Sequence, residues 1–138
     1  MDNGLKYNFG VNLESIRNLI GYSYYDIKMK GLNNTVAKKI EKENNGHINS
    51  FFKYLTILDC ELIIDETPVK TLKELGEKLK ELRLANNLSV TDMMVKTELS
   101  ENNILRIEQG NPYFLKSLLR YVSAFDDFKF TFLIDSRS

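Results

Sequence analysis

The residues that could do covalent or metal chemistry in this chain are few. Its 138 residues include a single cysteine, Cys60, and a single histidine, His47. Zinc sites draw four ligands from Cys, His and acidic side chains at characteristic spacings, and no such Cys/His cluster occurs. One cysteine cannot close an internal disulfide. A nucleophile needs a base in reach and donors aimed at the charge that develops, and the sequence offers no such grouping. The carboxylates fall on helix faces and no glycine-rich phosphate loop occurs. No catalytic residue, metal or cofactor is therefore expected, and Cys60 reads as a small buried hydrophobe.

Lys plus Arg and Asp plus Glu are equal at 19 each, which counts modestly against a nucleic-acid partner. Only the charge on one face matters to a phosphate backbone, however, so the balance does not exclude one. Hydrophobic residues make up 43% and charged residues 28%, the composition of a folded domain rather than a disordered chain. No stretch reaches the roughly 18 apolar residues of a membrane helix, and the opening MDNGLKYN lacks the basic and apolar regions of a signal peptide. A cytoplasmic protein with no membrane partner is expected. The length suits one ordinary domain or two small helical ones.

Two halves repeat each other. Ile40-Glu41 matches Ile107-Glu108 at an offset of 67 positions. At that offset Ile27 falls on Met94, Leu32 on Leu99, Ala37 on Ile104, Ile48 on Leu115, Phe51 on Leu118, Tyr54 on Tyr121, Leu58 on Phe125 and Asp59 on Asp126. One residue of slippage upstream pairs Ile16-Arg17 with Leu82-Arg83. Downstream, ELIID at 61–65 answers KFTFLID at 129–135. Asp65-Glu66-Thr67-Pro68 reads as a linker that Pro68 keeps from continuing as strand or helix, dividing the chain into residues 1–66 and 67–138.

The second half gives the clearer pattern of elements. Thr71 to Glu74 fits a capping box ahead of a long helix with Leu72, Leu75, Leu79 and Leu82 on one face, ending at Asn86-Asn87. Ser89 to Asp92 opens a short helix with Met93 and Met94 available to the core, and Thr97-Glu98-Leu99 makes a turn. Ser100 caps ENNILRIEQ, which turns Ile104 and Ile107 inward and stops at Gly110. A fourth helix is expected from near Pro112 to Asp126, burying Leu115, Leu118, Leu119, Val122 and Phe125. The alternation in Phe128-Lys129-Phe130-Thr131-Phe132 then predicts a half-buried strand. In the first half, Leu13, Ile16, Leu19 and Ile20 predict a short first helix, and Ser23 caps Tyr24–Met29. A third helix from Asn33-Asn34 ends at Asn44-Asn45-Gly46, a fourth runs from His47 to Leu58, and Leu62-Ile63-Ile64 forms a strand.

Residues 79–125 resemble the Cro/CI repressor family, the XRE-type lambda-repressor-like helix-turn-helix proteins. The markers are Leu79-Lys80-x-Leu82-Arg83 in the first helix, Leu88-Ser89 and Leu99-Ser100 before the second and third, and Arg106-Ile107-Glu108-x-Gly110 closing the third. The first half keeps Ile16-Arg17, Leu32-Asn33 and Lys39-Ile40-Glu41 but fills the small core positions of its second helix with Tyr and Ile. Residues 53–65 are similar to the end of antitoxin-type members, in which the strand pairs with its counterpart in a second subunit.

The resemblance implies a mostly α fold of two tandem lambda-repressor-like domains, each followed by a short β-strand, with the strands paired in a small antiparallel sheet. It implies a sequence-specific, repressor-like regulator binding double-stranded DNA through the third helix of each copy. The reading residues would be Glu101, Asn102, Asn103 and Arg106 in the second copy and Asn33, Asn34, Thr35, Lys38 and Lys39 in the first, with Lys28, Lys30 and Lys96 on phosphates. The second copy, closer to the family pattern, is the expected reader if only one serves. Two alternatives stand beside this: an antitoxin binding a protein toxin and its own promoter, and a fold kept as a protein-interaction module. Tyr22, Tyr24 and Tyr25 are read as core filling rather than partner surface. The phenylalanines at 125, 128, 130 and 132 exceed the needs of one small core and suggest a domain interface or a homodimer.

Overall fold

The computed structural model describes residues 6–134. The chain is mostly helical, with eight helices and a three-stranded antiparallel sheet among those residues. In order, the elements are α1 Gly10–Leu19, α2 Tyr24–Met29, α3 Asn34–Glu43, α4 Ile48–Ile57, β1 Cys60–Ile64 and β2 Thr67–Val69, then α5 Leu72–Ala85, α6 Val90–Thr97, α7 Glu101–Gln109, α8 Leu115–Val122 and β3 Phe130–Ile134. None of these helices is long and apolar enough to cross a membrane.

Local chemistry explains most boundaries. Ser23 and Ser89 each accept a hydrogen bond from the amide three residues on, while Asp26 and Asp92 accept from the serine amides, so α2 and α6 both start in full capping boxes. Ser100 caps α7, and Gly110 ends it at a φ of 78°. Asn44 ends α3 in the same left-handed region and also closes the start of α1, its Oδ1 accepting from the Phe9 and Gly10 amides at 3.0 Å each. At α5 the capping box forms only in half: Thr71 accepts from the Glu74 amide, but the Glu74 carboxylate accepts from Lys70 N, one residue upstream of the expected amide.

Several expectations need correcting. Helix α8 is shorter than predicted, starting at Leu115 and ending at Val122, although Phe125 beyond its end is buried as expected. Leu19 closes α1 but is 76% exposed and takes no part in the core. Met93 is the fully buried counterpart of Ile27, which moves the change of offset from 66 to 67 into the turn after the second helix. Tyr25 is 64% exposed, whereas Tyr22 and Tyr24 are half-buried.

The segment read as a linker is a β-hairpin. Asp65 and Glu66 take positive φ values of 48° and 68°, the geometry a two-residue turn requires to match strand twist. Pro68 lies inside β2, opposite Ile63. Because Ile64 and Thr67 close the turn, alternation makes Ile63–Pro68 a pair without ladder hydrogen bonds, so the missing N–H costs nothing there.

Strand β1 is central, with β2 on one side and β3 on the other. The pairing of β1 with β3 centres on Leu62 opposite Phe132, with Cys60 opposite Ile134 and Ile64 opposite Phe130. A second junction lies where the fourth helices begin. There Ile48 N donates to Tyr113 O at 2.9 Å, Leu115 N donates to Gly46 O at 2.7 Å, and His47 bridges to Phe114. Residues 46, 47 and 48 sit 67 positions before 113, 114 and 115, so each bond is the image of the other under exchange of the halves.

The apolar residues of both halves form one cluster. Phe9 packs on Phe130 and Phe132 with ring centroids 4.7 and 5.3 Å apart, Phe51 also reaches Phe132, and the Tyr7 hydroxyl donates to Phe125 O at 2.7 Å. The phenylalanine-rich end is thus taken up by the first half of the same chain.

Candidate functional site

The pairs α2–α3 and α6–α7 hold the residues singled out from sequence, and a buried polar cluster fixes each pair. In the second half, Arg83 of α5 makes two bonds to Glu108 of α7, Nε to Oε2 at 2.7 Å and Nη2 to Oε1 at 3.1 Å. Its Nη1 donates to Leu88 O at 2.9 Å, just before the α6 cap, and the Tyr121 hydroxyl of α8 donates to Glu108. One guanidinium thereby joins α5, α7, α8 and the start of α6. The first half repeats this atom for atom: Arg17 Nε and Nη2 reach Glu41 at 2.8 and 3.2 Å, Nη1 reaches Tyr22 O at 2.9 Å, and the Tyr54 hydroxyl donates to Glu41.

The charges in these clusters are settled by their partners. Burial alone pushes the Glu41 carboxyl up, but hydrogen bonds from Arg17, Tyr54 and Tyr24 outweigh it and hold the group below its ordinary value. Arg17 and Arg83 are raised by their glutamate partners, and Tyr54 and Tyr121 are raised first by burial and then by the carboxylate each serves. Both clusters have their donors matched with acceptors in water-poor surroundings, which suits rigid positioning of the helices they join.

A second device brings the helices together. A Cβ on Gly10 would lie 2.4 Å from the Ile40 carbonyl oxygen, and one on Gly76 would lie 2.5 Å from that of Glu108. Only glycine lets α1 approach α3, and α5 approach α7, this closely.

On this frame stand the twelve side chains expected to face a ligand. Glu101, Asn102, Asn103 and Arg106 of α7 are exposed, as are Asn33, Thr35, Lys38 and Lys39 at α3, while Asn34 is half-buried. Lys28, Lys30 and Lys96 are exposed beside them on or just after the second helices. Asn33 also serves as N-cap of α3, its Oδ1 accepting from Thr35 N at 2.7 Å. Arg106 leans back toward Pro112 O at 3.5 Å.

The two faces differ in charge. Residues 24–40 hold Lys28, Lys30, Lys38 and Lys39 against the single carboxylate Asp26. Lys53 joins them from α4, since its Nζ lies 3.5 Å from where a Cβ on Gly31 would be. Across 90–107, Lys96 and Arg106 face Asp92, Glu98 and Glu101. There Arg120, the counterpart of Lys53, sits 3.7 Å from Glu98.

The glycines and the Arg–Glu–Tyr clusters were not picked out as functional parts from sequence. Arg17/Arg83, Glu41/Glu108 and Tyr54/Tyr121 were visible as matched pairs between the halves, and a polar residue repeated amid apolar matches is the signal that points to them. Cys60 is buried as expected, and burial pushes its thiol up to about 12. Among the described residues no group of three or more His, Cys, Asp or Glu is placed to hold a metal ion. Comparison of the chain with family models, with curated proteins and with solved structures gave no match.

Proposed function

We propose that the chain is a DNA-binding, repressor-like transcriptional regulator built from two lambda-repressor-like helix-turn-helix units, residues 1–66 and 67–138. In this reading the units form an intramolecular pseudo-dimer, with α3 and α7 as the helices presented to the major groove of double-stranded DNA. The observation that carries it is the duplicated arrangement of a serine-capped short helix, a tight turn and a second capped helix with an exposed first turn, braced each time by the same buried Arg–Glu–Tyr cluster. The reciprocal bonds at Gly46–Ile48 and Tyr113–Leu115 support a two-fold relation between the units, the relation that half-sites on DNA mirror. Exposed Asn, Arg and Lys side chains at these positions have the donors that base edges and phosphates accept.

The test is binding to the protein's own upstream DNA, followed by fluorescence anisotropy as salt is raised. A regulator of this kind weakens steeply by counterion release. Binding that is absent, or indifferent to salt, overturns the reading. A second reading, a protein-docking module of the antitoxin or interaction type, is favoured by the charge-balanced α6–α7 face, where Val95 is 77% exposed between Asp92 and Glu98.

A further inference from the structure

The two faces that a symmetric pseudo-dimer would present alike are built differently, and the difference lies in more than the number of lysines. Lys30 Nζ lies 5.2 Å above the ring of Tyr22, and Lys38 Nζ lies 5.1 Å above the ring of Tyr24. Tyr24 is held in turn, its hydroxyl donating to Glu41 at 2.7 Å and its ring covered by Arg17 at 4.1 Å. A cation over an aromatic face is attracted by the ring quadrupole, so each tyrosine restrains a flexible lysine on the surface. At the offset of 66, Tyr22 and Tyr24 correspond to Leu88 and Val90, and Lys28 to Met94. At the offset of 67, Asn34 corresponds to Glu101 and Lys38 to Leu105. Both tyrosine props are thus lacking in the second half, and Lys38 is lost with its prop. Lys30, Lys39 and Lys53 keep basic counterparts in Lys96, Arg106 and Arg120, but these stand among Asp92, Glu98 and Glu101. Glu101 occupies the first position of the third helix, so the positive surplus of the first face is cancelled on the second.

From this we infer that the first half alone grips the DNA backbone, through Lys28, Lys30, Lys38, Lys39 and Lys53. The α6–α7 face makes no net phosphate contact, and the ligand is a single half-site of duplex DNA rather than a palindrome. The inference rests on the DNA-binding reading above and reverses the expectation that the more family-like second half is the reader. Family likeness there resides in Arg83, Glu108, Gly110 and the serine caps, which build the frame. Affinity for phosphate is set by the exposed charges, which the frame does not specify.

The probe is a fluorescein-labelled duplex of mixed sequence and about 30 base pairs, long enough for two half-sites a turn apart. Five phosphate contacts give a slope of log affinity against log salt near −4.5, so binding falls by roughly 500-fold between 50 and 200 mM salt. Lys28→Gln/Lys39→Gln lowers the slope by about 2 and weakens binding at 50 mM by roughly 100-fold. Lys96→Gln/Arg106→Gln weakens it by no more than about twofold. All four side chains are exposed, so the urea midpoints of both variants match the parent, which separates lost contact from lost folding. Equal losses from the two variants, or a larger loss from the second, overturn the one-sided grip while leaving DNA binding intact. A parent protein that fails to bind the duplex with salt dependence overturns the DNA reading itself.

Discussion

Replacing Arg83 with methionine tests whether the buried cluster holds the second half together. Methionine keeps much of the apolar stem and removes the guanidinium, with its two bonds to Glu108 and its bond to Leu88 O. The Glu108 carboxylate, with 4% of its side chain exposed, keeps only the Tyr121 hydroxyl. Removing one member of a buried pair leaves an uncompensated charge and costs about 3–5 kcal/mol, a large part of the roughly 5–15 kcal/mol that holds a typical domain. The matching change at Arg17 costs about 1–2 kcal/mol less, because Glu41 retains hydrogen bonds from both Tyr54 and Tyr24. Adding Glu108→Leu to Arg83→Met recovers most of the loss, since an apolar replacement of a whole buried pair is close to neutral. Urea unfolding read by circular dichroism gives all three values, provided the m value is unchanged. A loss under 1 kcal/mol for Arg83→Met, or a double variant no more stable than Arg83→Met, refutes the claim that the pair is buried and coupled.

Gly76→Ala destabilises by about 2 kcal/mol or more despite alanine's better helix propensity, because its Cβ meets the Glu108 and Ile107 carbonyl oxygens at 2.5 and 2.7 Å; a variant that melts at or above the parent temperature removes the close crossing of α5 and α7. Cys60 sets an alkaline limit: its thiol ionises near 9.0 when unfolded and about 12 when folded, so its contribution is intact below pH 9 and falls by about 1.4 kcal/mol per pH unit as pH rises toward 12. Between pH 9 and 10, before the raised tyrosines contribute, Cys60→Ala flattens this dependence, and an unchanged slope places its origin elsewhere.

What could be read from sequence was what neighbouring residues decide among themselves. Ser23 with Asp26, Ser89 with Asp92, and Gly110 after an apolar stripe each settle a helix end within four residues, and each boundary lies where those signals put it. The antiparallel pairing of β1 with β3 was also legible, because two strands ending matched segments leave open edges that pairing closes. The hairpin was missed for a local reason. Two-residue turns are announced by Asn-Gly or Asp-Gly, and Asp65-Glu66 takes the same positive φ values without that signal. Pro68 then suggested a break, although an edge position outside the ladder accepts it.

The clusters and the lysine face depend on contacts between residues distant in sequence. Arg17 meets Glu41 across 24 positions and Arg83 meets Glu108 across 25, distances at which periodicity carries no information. Tyr54 and Tyr121 matched as apolar residues, yet their hydroxyls are what the carboxylates use. Likewise Tyr22 and Tyr24 fill part of the core, as expected, and also carry Lys30 and Lys38 on their outer faces. A single-residue reading offers either core or surface for such a side chain; an amphipathic ring has both.

Joining two such units in one chain has a physical consequence for how their surfaces can differ. In a dimer of identical subunits every substitution appears twice, so a lysine that strengthens one reading face strengthens the other, and a carboxylate weakens both. Here each face is encoded separately, while the contacts that bind the halves still require both sides. The Gly46–Ile48 and Tyr113–Leu115 bonds and the ladder centred on Leu62 and Phe132 keep their reciprocity. By contrast, Tyr22, Tyr24, Lys28 and Lys38 stand opposite Leu88, Val90, Met94 and Leu105. Symmetry persists where the halves touch each other, whereas on the outward faces Lys30, Lys39 and Lys53 keep basic counterparts in Lys96, Arg106 and Arg120 while Lys28 and Lys38 do not. Separate encoding lets the faces diverge in this way without loosening the contacts that join the halves.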